Sequence, residues 1–258
     1  MKLPYLAAKQ EGAMYGLRGM VDIKIQPGTL QNIQDFVQEY NRNAEFHITP
    51  FVIFLASLQI ALGQWSHSSV VNIGSVYTNR DPAWLESIGT ICNTGVFSFD
   101  LGPYQDQAFV KLIEMVAPIV EGSRAHTWLP QSRLVTALRR QGERIPKDGL
   151  HQVSFVYHNF PRSDNLTFGR ARVVRSERYL DSEQRMAKFP LVVELDAATF
   201  GNDIIEPMQA SLAFARNHFS SETVQKLGGR WVHVLETIFA KHEISDAPIC
   251  TTNKFAAA

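Results

Sequence analysis

The chain has 258 residues, of which 45% are hydrophobic, and its 25 Lys and Arg residues balance its 25 Asp and Glu residues. That length can bury one large core or two small ones, and zero net charge excludes the basic surface typical of proteins that bind nucleic acid or anionic membranes. The longest apolar run, residues 51–62, is shorter than the roughly 20 residues of a membrane span. Two cysteines form no disulfide framework, and the N-terminus has no secretion signal, so we expect a soluble cytoplasmic protein.

The first third of the chain reads as a strand followed by two helices. Alternating apolar residues predict a strand over 19–25. Pro27 and Gly28 predict a turn, after which Thr29 should cap an amphipathic helix that ends at residues 41–43.

A second helix should follow and should be buried. Thr49 and Pro50 have the residue types of a cap and a first helical position. Residues 51–62 are apolar nearly all round, which predicts burial, and Gly63 should end this helix.

Residues 70–94 (VVNIGSVYTNRDPAWLESIGTICNT) read as an apolar strand, a polar turn, a short helical turn and the start of a second strand over 96–101. Asn93 and Thr94 precede the apolar part of that strand. Polar side chains are costly there unless they are hydrogen-bonded.

The rest of the chain alternates helices with strands. Helices are predicted over 103–124, with a kink at Pro118, over 131–140 and over 221–241. Strands are predicted over 150–155, 166–174, 189–195 and 210–215. Residues 176–188 are predicted to form an exposed connection. This order predicts a mixed α/β (α+β) fold with helices packed on a largely shared central sheet. We assign 1–17 to a boundary segment, 18–242 to the domain and 243–258 to a tail, of which 253–258 reads as an artificial remnant.

Common catalytic and metal sites find little support. Eight scattered histidines include no i, i+4 pair, so no metal site is expected. Cys92 has no histidine at a useful spacing, and Gly74-Ser75 lacks the closing glycine of a nucleophile elbow.

Several segments, in this order, resemble the condensation domains of nonribosomal peptide synthetases. Segment 88–94 (IGTICNT) is similar to the family's (I/V)G-x-FVNT motif, and 77–80 (YTNR) is similar to its A-G-R-x turn. Segment 126–132 (HTWLPQS) resembles HQDxPFE, with His and Pro kept and the acidic positions lost. Segment 150–155 resembles PLFQVMF, whereas 143–146 matches RDxSRNP poorly.

The resemblance covers about residues 20–241 and implies the second of two lobes. Condensation domains have two lobes, each similar to chloramphenicol acetyltransferase, and the catalytic motif HHxxxDG belongs to the first. That motif is nowhere in this chain. The resemblance therefore implies a C-terminal, acceptor-side lobe that forms one wall of the substrate tunnel and is inactive alone.

The family's chemistry sets the expected partners. An amine attacks a thioester, both substrates being held on phosphopantetheine arms of carrier proteins, and a histidine positions or deprotonates the amine. The expected partners are an N-terminal condensation lobe and peptidyl or acyl carrier proteins. No directly bound cofactor is expected.

Two histidines are candidates for residual chemistry. His218 lies between the last strand and the last helix, where an internal duplication would put HHxxxDG; it lacks the motif's other residues, so a structural role is favoured over catalysis. His126 matches a motif histidine, but the favoured interpretation is a helix-end histidine that interacts with the helix dipole.

The remaining candidates are polar residues near strand ends. Tyr157, His158 and Asn159 follow the PLFQVMF-like segment and line either the tunnel or a surface loop. Asn93 and Thr94 are expected to bond backbone at the seam between lobes more than to touch substrate.

Two alternative functions stay open. One is a non-catalytic module that docks a carrier protein or a tailoring enzyme. The other is a small-molecule acyltransferase whose homo-oligomer pairs His218 with a neighbour's tunnel wall. A lone lobe should also expose apolar surface where its partner would lie.

Overall fold

The computed structural model describes residue 3 and residues 16–44, 46–80, 82–84, 86–146, 149–159, 167–172, 186–197 and 206–240. The strands in this part are β1 (Arg18–Ile25), β2 (Val70–Tyr77), β3 (Asn93–Asp100), β4 (Val153–His158), β5 (Thr167–Phe168), β6 (Ala171–Arg172), β7 (Leu191–Asp196) and β8 (Met208–Ala215). The helices are α1 (Pro27–Asn43), α2 (Pro50–Ser66), α3 (Phe109–Ala125), α4 (Gln131–Arg140) and α5 (Ser221–Phe239).

Six of the strands form one mixed sheet in the order β1-β8-β7-β4-β2-β3, and β5 and β6 form a separate hairpin. β4 is parallel to both β2 and β7, whereas the other neighbours in the sheet are antiparallel. The predicted mixed α/β class is confirmed.

Helices α2, α3 and α5 pack on one face of the sheet. Along β1, Val21, Ile23 and Ile25 are buried while the residues between them are exposed, as the period of two requires. Helix α5 lies close against this face at Gly228, where a Cβ would come within 2.7 Å of the Ile23 side chain. Only glycine allows this approach without movement.

Helix α2 is the centre of the core, as its all-round apolar pattern predicts. Every residue from Val52 to Gly63 is buried. A polar link to α5 runs from Trp231, whose indole N–H donates to Ser57 Oγ at 2.9 Å, both residues being fully buried. The bond satisfies two groups that would otherwise be costly in an apolar interior.

The starts of two predicted helices were wrong. Helix α1 begins at Pro27 after Gln26, so Pro27 and Gly28 form its first turn instead of a preceding turn, and Thr29 is not the cap. Proline is well suited to a first helical position because its missing N–H would have no partner there. The helix predicted over 103–124 begins only at Phe109, after a 3-10 turn at Gly102–Tyr104.

Helix α2 begins after Thr49 as predicted but continues past Gly63 to Ser66. It ends at His67, whose φ of 49° lies in the left-handed region. Gly63 is buried inside the helix and therefore does not end it.

The later strands are shifted from their predicted bounds. β4 extends to His158, and only the four residues of β5 and β6 form strand within the described part of 166–174. The connection predicted over 176–188 lies outside the described residues, except for 186–188. Most of residues 1–17 and all of 243–258 also lie outside them, so the domain bounds stay a prediction. None of the helices described here is both long and apolar enough to cross a bilayer.

Candidate functional site

The strand directions bring most of the predicted site residues to one edge of the sheet. β2, β4 and β7 run parallel, so their last residues, Tyr77, His158 and Asp196, lie at the same edge. β3 is antiparallel to β2, and its first residue, Asn93, pairs with Tyr77. We call this the C-terminal edge of the sheet. It also holds Thr94, Tyr157 and Asn159.

The Asn93 side chain makes its hydrogen bonds to backbone groups. Its amide nitrogen donates to the carbonyls of Thr127 and Leu129, both at 2.7 Å, and its amide oxygen accepts the Thr94 N–H at 2.9 Å. These bonds use both amide hydrogens, so the side chain has no donor left for a ligand. Asn93 therefore fastens the start of β3 to the loop between α3 and α4.

Asn79 fastens the same loop from the other side. Its amide nitrogen donates to the Thr127 carbonyl at 2.8 Å, and Thr127 Oγ1 lies 2.7 Å from Asn79 Oδ1. Asn79 has a φ of 48°, a left-handed conformation that asparagine tolerates better than most residues. Thr127 is only 7% exposed, so these bonds are largely shielded from water.

Arg80 organises the loop that precedes β3. Its guanidinium donates to three backbone carbonyls, those of Trp84 at 3.1 Å, Ser87 at 2.7 Å and Gly89 at 2.9 Å. A planar fork with several N–H groups can hold three carbonyls at once, which a lysine cannot match. The turn at Asn79 and Arg80 is thus the junction between two loops.

The two loops present large apolar side chains to solvent. Trp84 is 56% exposed, Ile88 is fully exposed and Trp128 is 73% exposed. We refer to these three side chains as the apolar rim. Their loops are held by hydrogen bonds from the side chains of Asn79, Arg80 and Asn93 to backbone carbonyls.

His126 lies at the C-terminal end of α3 and is exposed. Its Nδ1 is 2.8 Å from the carbonyl oxygen of Gly122, one turn earlier in the helix. Because a carbonyl can only accept, Nδ1 carries the proton in this bond. The contact is that of a histidine binding the last turn of a helix.

Side chains alternate along a strand, so Tyr157 and His158 at the end of β4 point to opposite faces of the sheet. The Tyr157 ring faces α2, with its centroid 5.9 Å from that of Phe51 and 6.1 Å from that of Phe54, and burial raises its pKa to about 12. His158 points to the other face, is half-buried and is the register partner of Asp196 on β7. Asn159 is exposed. Only His158 and Asn159 are therefore available to a ligand outside the core.

His218 lies at the opposite edge of the sheet. It follows the end of β8, is 1% exposed, and has Nδ1 2.9 Å from Asn217 Oδ1, which also accepts the Gly16 N–H at 2.8 Å. Strands of about eight residues at about 3.3 Å per residue put this edge roughly 25 Å from Asn93. Within one chain, His218 and the C-terminal edge do not form a common site.

His151 was missed by the sequence reasoning. It is 3% exposed, its Nδ1 lies 3.1 Å from Gln131 Nε2, and its ring centroid is 5.0 Å from that of Phe189. Burial lowers the pKa of His151 to about 4, so the ring is neutral near pH 7. The ring also lies over Gly74, where a Cβ would come within 2.3 Å of it.

Thr127 and Asn79 were also missed, although both lie in motif-like segments. For Asn79, the sequence feature that could have indicated its role is an asparagine at the glycine position of the A-G-R turn, which suggests a residue in the left-handed conformation. Cys92 is exposed, and within the described residues no group of three His, Cys, Asp or Glu side chains could hold a metal ion.

Comparison with known families shows to which family the chain belongs. The pattern of the family described as "Condensation domain" matches residues 3–256. The chain belongs to the condensation-domain family. The resemblance drawn from the motifs is thereby confirmed.

The related proteins are nonribosomal peptide synthetases. The chain is 22% identical over 213 residues to cyclosporin synthetase of Tolypocladium inflatum, covering 82% of this chain and 1% of that protein. It is 24% identical over 221 residues to a nonribosomal peptide synthetase of Curvularia clavata, covering 85% of this chain and 2% of the relative. This condensation domain therefore spans only a small fraction of either relative.

Solved structures share the fold. The X-domain in complex with OxyB from teicoplanin biosynthesis superposes with a TM-score of 0.69 at 18% identity, covering 98% of this chain and 52% of that one. The condensation domain of the monacolin K polyketide synthase MokA gives a TM-score of 0.66 at 13% identity, covering 94% and 52%. The chain thus spans about half the length of these condensation-type domains.

Proposed function

We propose that this chain is the C-terminal, acceptor-side lobe of a condensation domain that joins carrier-bound substrates through an amide bond. The observation that supports this most is the junction at Thr127. There, the three segments that resemble the family's A-G-R, FVNT and HQDxPFE motifs meet through hydrogen bonds. The match to about half of each solved condensation-type domain agrees with a single lobe.

The proposed lobe forms one wall of the substrate tunnel and does not supply the catalytic base. Asn93 is fully used by backbone contacts, and His218 lies buried at the far edge. The base therefore has to come from an N-terminal lobe that carries HHxxxDG. The apolar rim of Trp84, Ile88 and Trp128 supports a contact with such a lobe, because large exposed apolar side chains commonly mark an interface.

The substrates of this reaction are the phosphopantetheine-bound groups of peptidyl or acyl carrier proteins. We infer that the lobe works in the cytoplasm, from the absence of a disulfide framework among two cysteines. His158 and Asn159 are two side chains at the C-terminal edge that remain available to contact the acceptor arm.

The test is amide formation between two loaded carrier proteins. The isolated chain should give no product, and adding an N-terminal lobe with HHxxxDG should restore product. His218→Ala should leave the restored rate unchanged. Turnover by the isolated chain that disappears in His218→Ala would overturn the proposal.

A docking module is the second candidate, favoured by one specific likeness. The X-domain that covers 98% of this chain was solved in complex with OxyB. In this alternative the chain binds a carrier protein or a tailoring enzyme without chemistry. Pull-down of a loaded carrier protein, with no turnover in the presence of an N-terminal lobe, would favour it over the first proposal.

The self-associating acyltransferase is the weakest alternative. It needs a second copy to reach His218, and that ring is 1% exposed in the folded chain. Sizing chromatography separates the possibilities, since a strict monomer removes this function.

A further inference from the structure

Helix α4 has two unlike faces. Leu134, Val135 and Leu138 are half-buried on the side that packs next to β3. The opposite side lines an open groove of about 460 Å³, and its described lining residues are Ser132, Arg133, Thr136, Ala137 and Arg140. We call these five residues the α4 face.

The α4 face has uncompensated positive charge. Helix α4 contains three arginines and no acidic residue in ten positions. Arg133 and Arg140 are both exposed, and no salt bridge within the described part of the chain includes either of them. In a chain of zero net charge, this concentration of one sign is local to the helix.

The helix dipole does not account for Arg133, although arginine is a good helix former. Arginines in the last turn, such as Arg139 and Arg140, interact favourably with the negative end of the helix dipole. Arg133 is in the first turn, where the dipole is positive and a cation is unfavourable. The Arg133 guanidinium therefore gains nothing from the helix dipole and has no salt bridge within the described part of the chain, which leaves it available to an external anion.

The spacing favours an extended anionic surface over a single small anion. Arg133 and Arg140 are seven residues apart, which is two helical turns and about 10.5 Å along the axis. A partner helix with carboxylates two turns apart has the same repeat. Each guanidinium can grip one carboxylate through two parallel hydrogen bonds.

We propose that the α4 face is a docking site for an acidic helix of a partner protein, with Arg133 and Arg140 each binding one carboxylate. The proposal goes beyond the condensation function, because it needs only α4 and no chemistry. Opposite charges would steer the encounter and fix the register, and the interaction would weaken as salt is added.

The test uses the full chain and two synthetic helical peptides. One peptide carries Glu residues two turns apart on a single face, and the other carries Gln at those positions. Fluorescence anisotropy at low salt should detect binding of the Glu peptide and not of the Gln peptide. Arg133→Glu/Arg140→Glu should weaken that binding by at least about tenfold, in line with the loss of paired charges at an interface.

Arg139→Glu is the control, since it reverses one charge on the same helix but outside the α4 face, as each half of the double variant does inside it. Its affinity for the Glu peptide should stay clearly above that of the double variant. The charge-neutral pair Arg133→Gln/Arg140→Gln should also weaken binding, and melting curves should remain unchanged because both side chains are exposed. Equal binding of the two peptides, no binding of the Glu peptide, or equal losses in the double variant and Arg139→Glu would each overturn the proposal.

Discussion

Asn79 and Asn93 donate to the same backbone oxygen, the carbonyl of Thr127, at 2.8 and 2.7 Å. One side chain comes from the turn after β2 and the other from the first residue of β3. Since a carbonyl oxygen has two lone pairs, both bonds can be made at once. The loop between α3 and α4 is thereby attached to the C-terminal edge of the sheet at two points.

Asn93→Ala should destabilise the fold by about 2 kcal/mol, because two part-buried carbonyls lose a donor and the Thr94 N–H loses an acceptor. Urea unfolding measures this. Ser98→Ala, an exposed change on the same strand, should stay within about 0.5 kcal/mol of the wild type. Equal midpoints for the two variants would contradict the role assigned to Asn93.

Arg80→Lys should loosen the loop before β3 more than it lowers global stability. A lysine keeps the charge but cannot donate to three carbonyls in the geometry of the guanidinium. Hydrogen exchange should show faster exchange of the Ser87 amide, which now bonds to the Trp84 carbonyl, with a loss of about 0.5–1.5 kcal/mol overall. Unchanged exchange at Ser87 in Arg80→Lys would count against this.

His151 should make the fold less stable in mild acid. Its pKa is about 4 in the folded chain and about 6.5 when unfolded, so between these pH values the unfolded chain binds the extra proton. The stabilising contribution is therefore complete above about pH 6.5 and falls as pH is lowered toward 4, by up to about 3 kcal/mol. Urea midpoints measured across this range should flatten in His151→Phe, and an equally steep curve in that variant would refute the assignment.

Gly74→Ala should destabilise the fold by about 1–3 kcal/mol, since the new Cβ would come within 2.3 Å of the His151 ring. Gly122→Ala is the matched control. Gly122 lies inside α3 with nothing within 4 Å of a new Cβ, and alanine there should be neutral or stabilising by up to about 1 kcal/mol. The two variants should therefore move the melting temperature in opposite directions or by clearly different amounts.

Local patterns predicted the elements well and their ends less well. The all-round apolar pattern identified α2 as buried, and the alternation in β1 identified its two faces. Pro27 was misread because a proline that starts a turn and one that starts a helix have the same local signal. Gly63 was misread because a glycine inside a helix and a glycine that ends one have the same local signal.

The motifs predicted where the site lies but not what each of its residues does. The FVNT-like and HQDxPFE-like segments pointed to Asn93 and His126, whereas Thr127 joins them only through contacts between residues far apart in sequence. Tyr157 and His158 were grouped as neighbours, but strand alternation directs them to opposite faces of the sheet. His151 lies within the strand predicted over 150–155 but precedes β4 in the structure, and only the packing of Phe189 and Gly74 on it reveals its burial.

The pairing of β1 with β8 also constrains how the chain can be made. Among the described strands of the six-stranded sheet β1 pairs only with β8, so its backbone groups stay unpaired until that strand, far later in the sequence, has been made. Such long-range pairing is slow to form and leaves apolar surface open in the meantime. During translation, the backbone groups of β1 would therefore stay unpaired until residue 215 has left the ribosome, and a chain truncated before that point should be prone to aggregate.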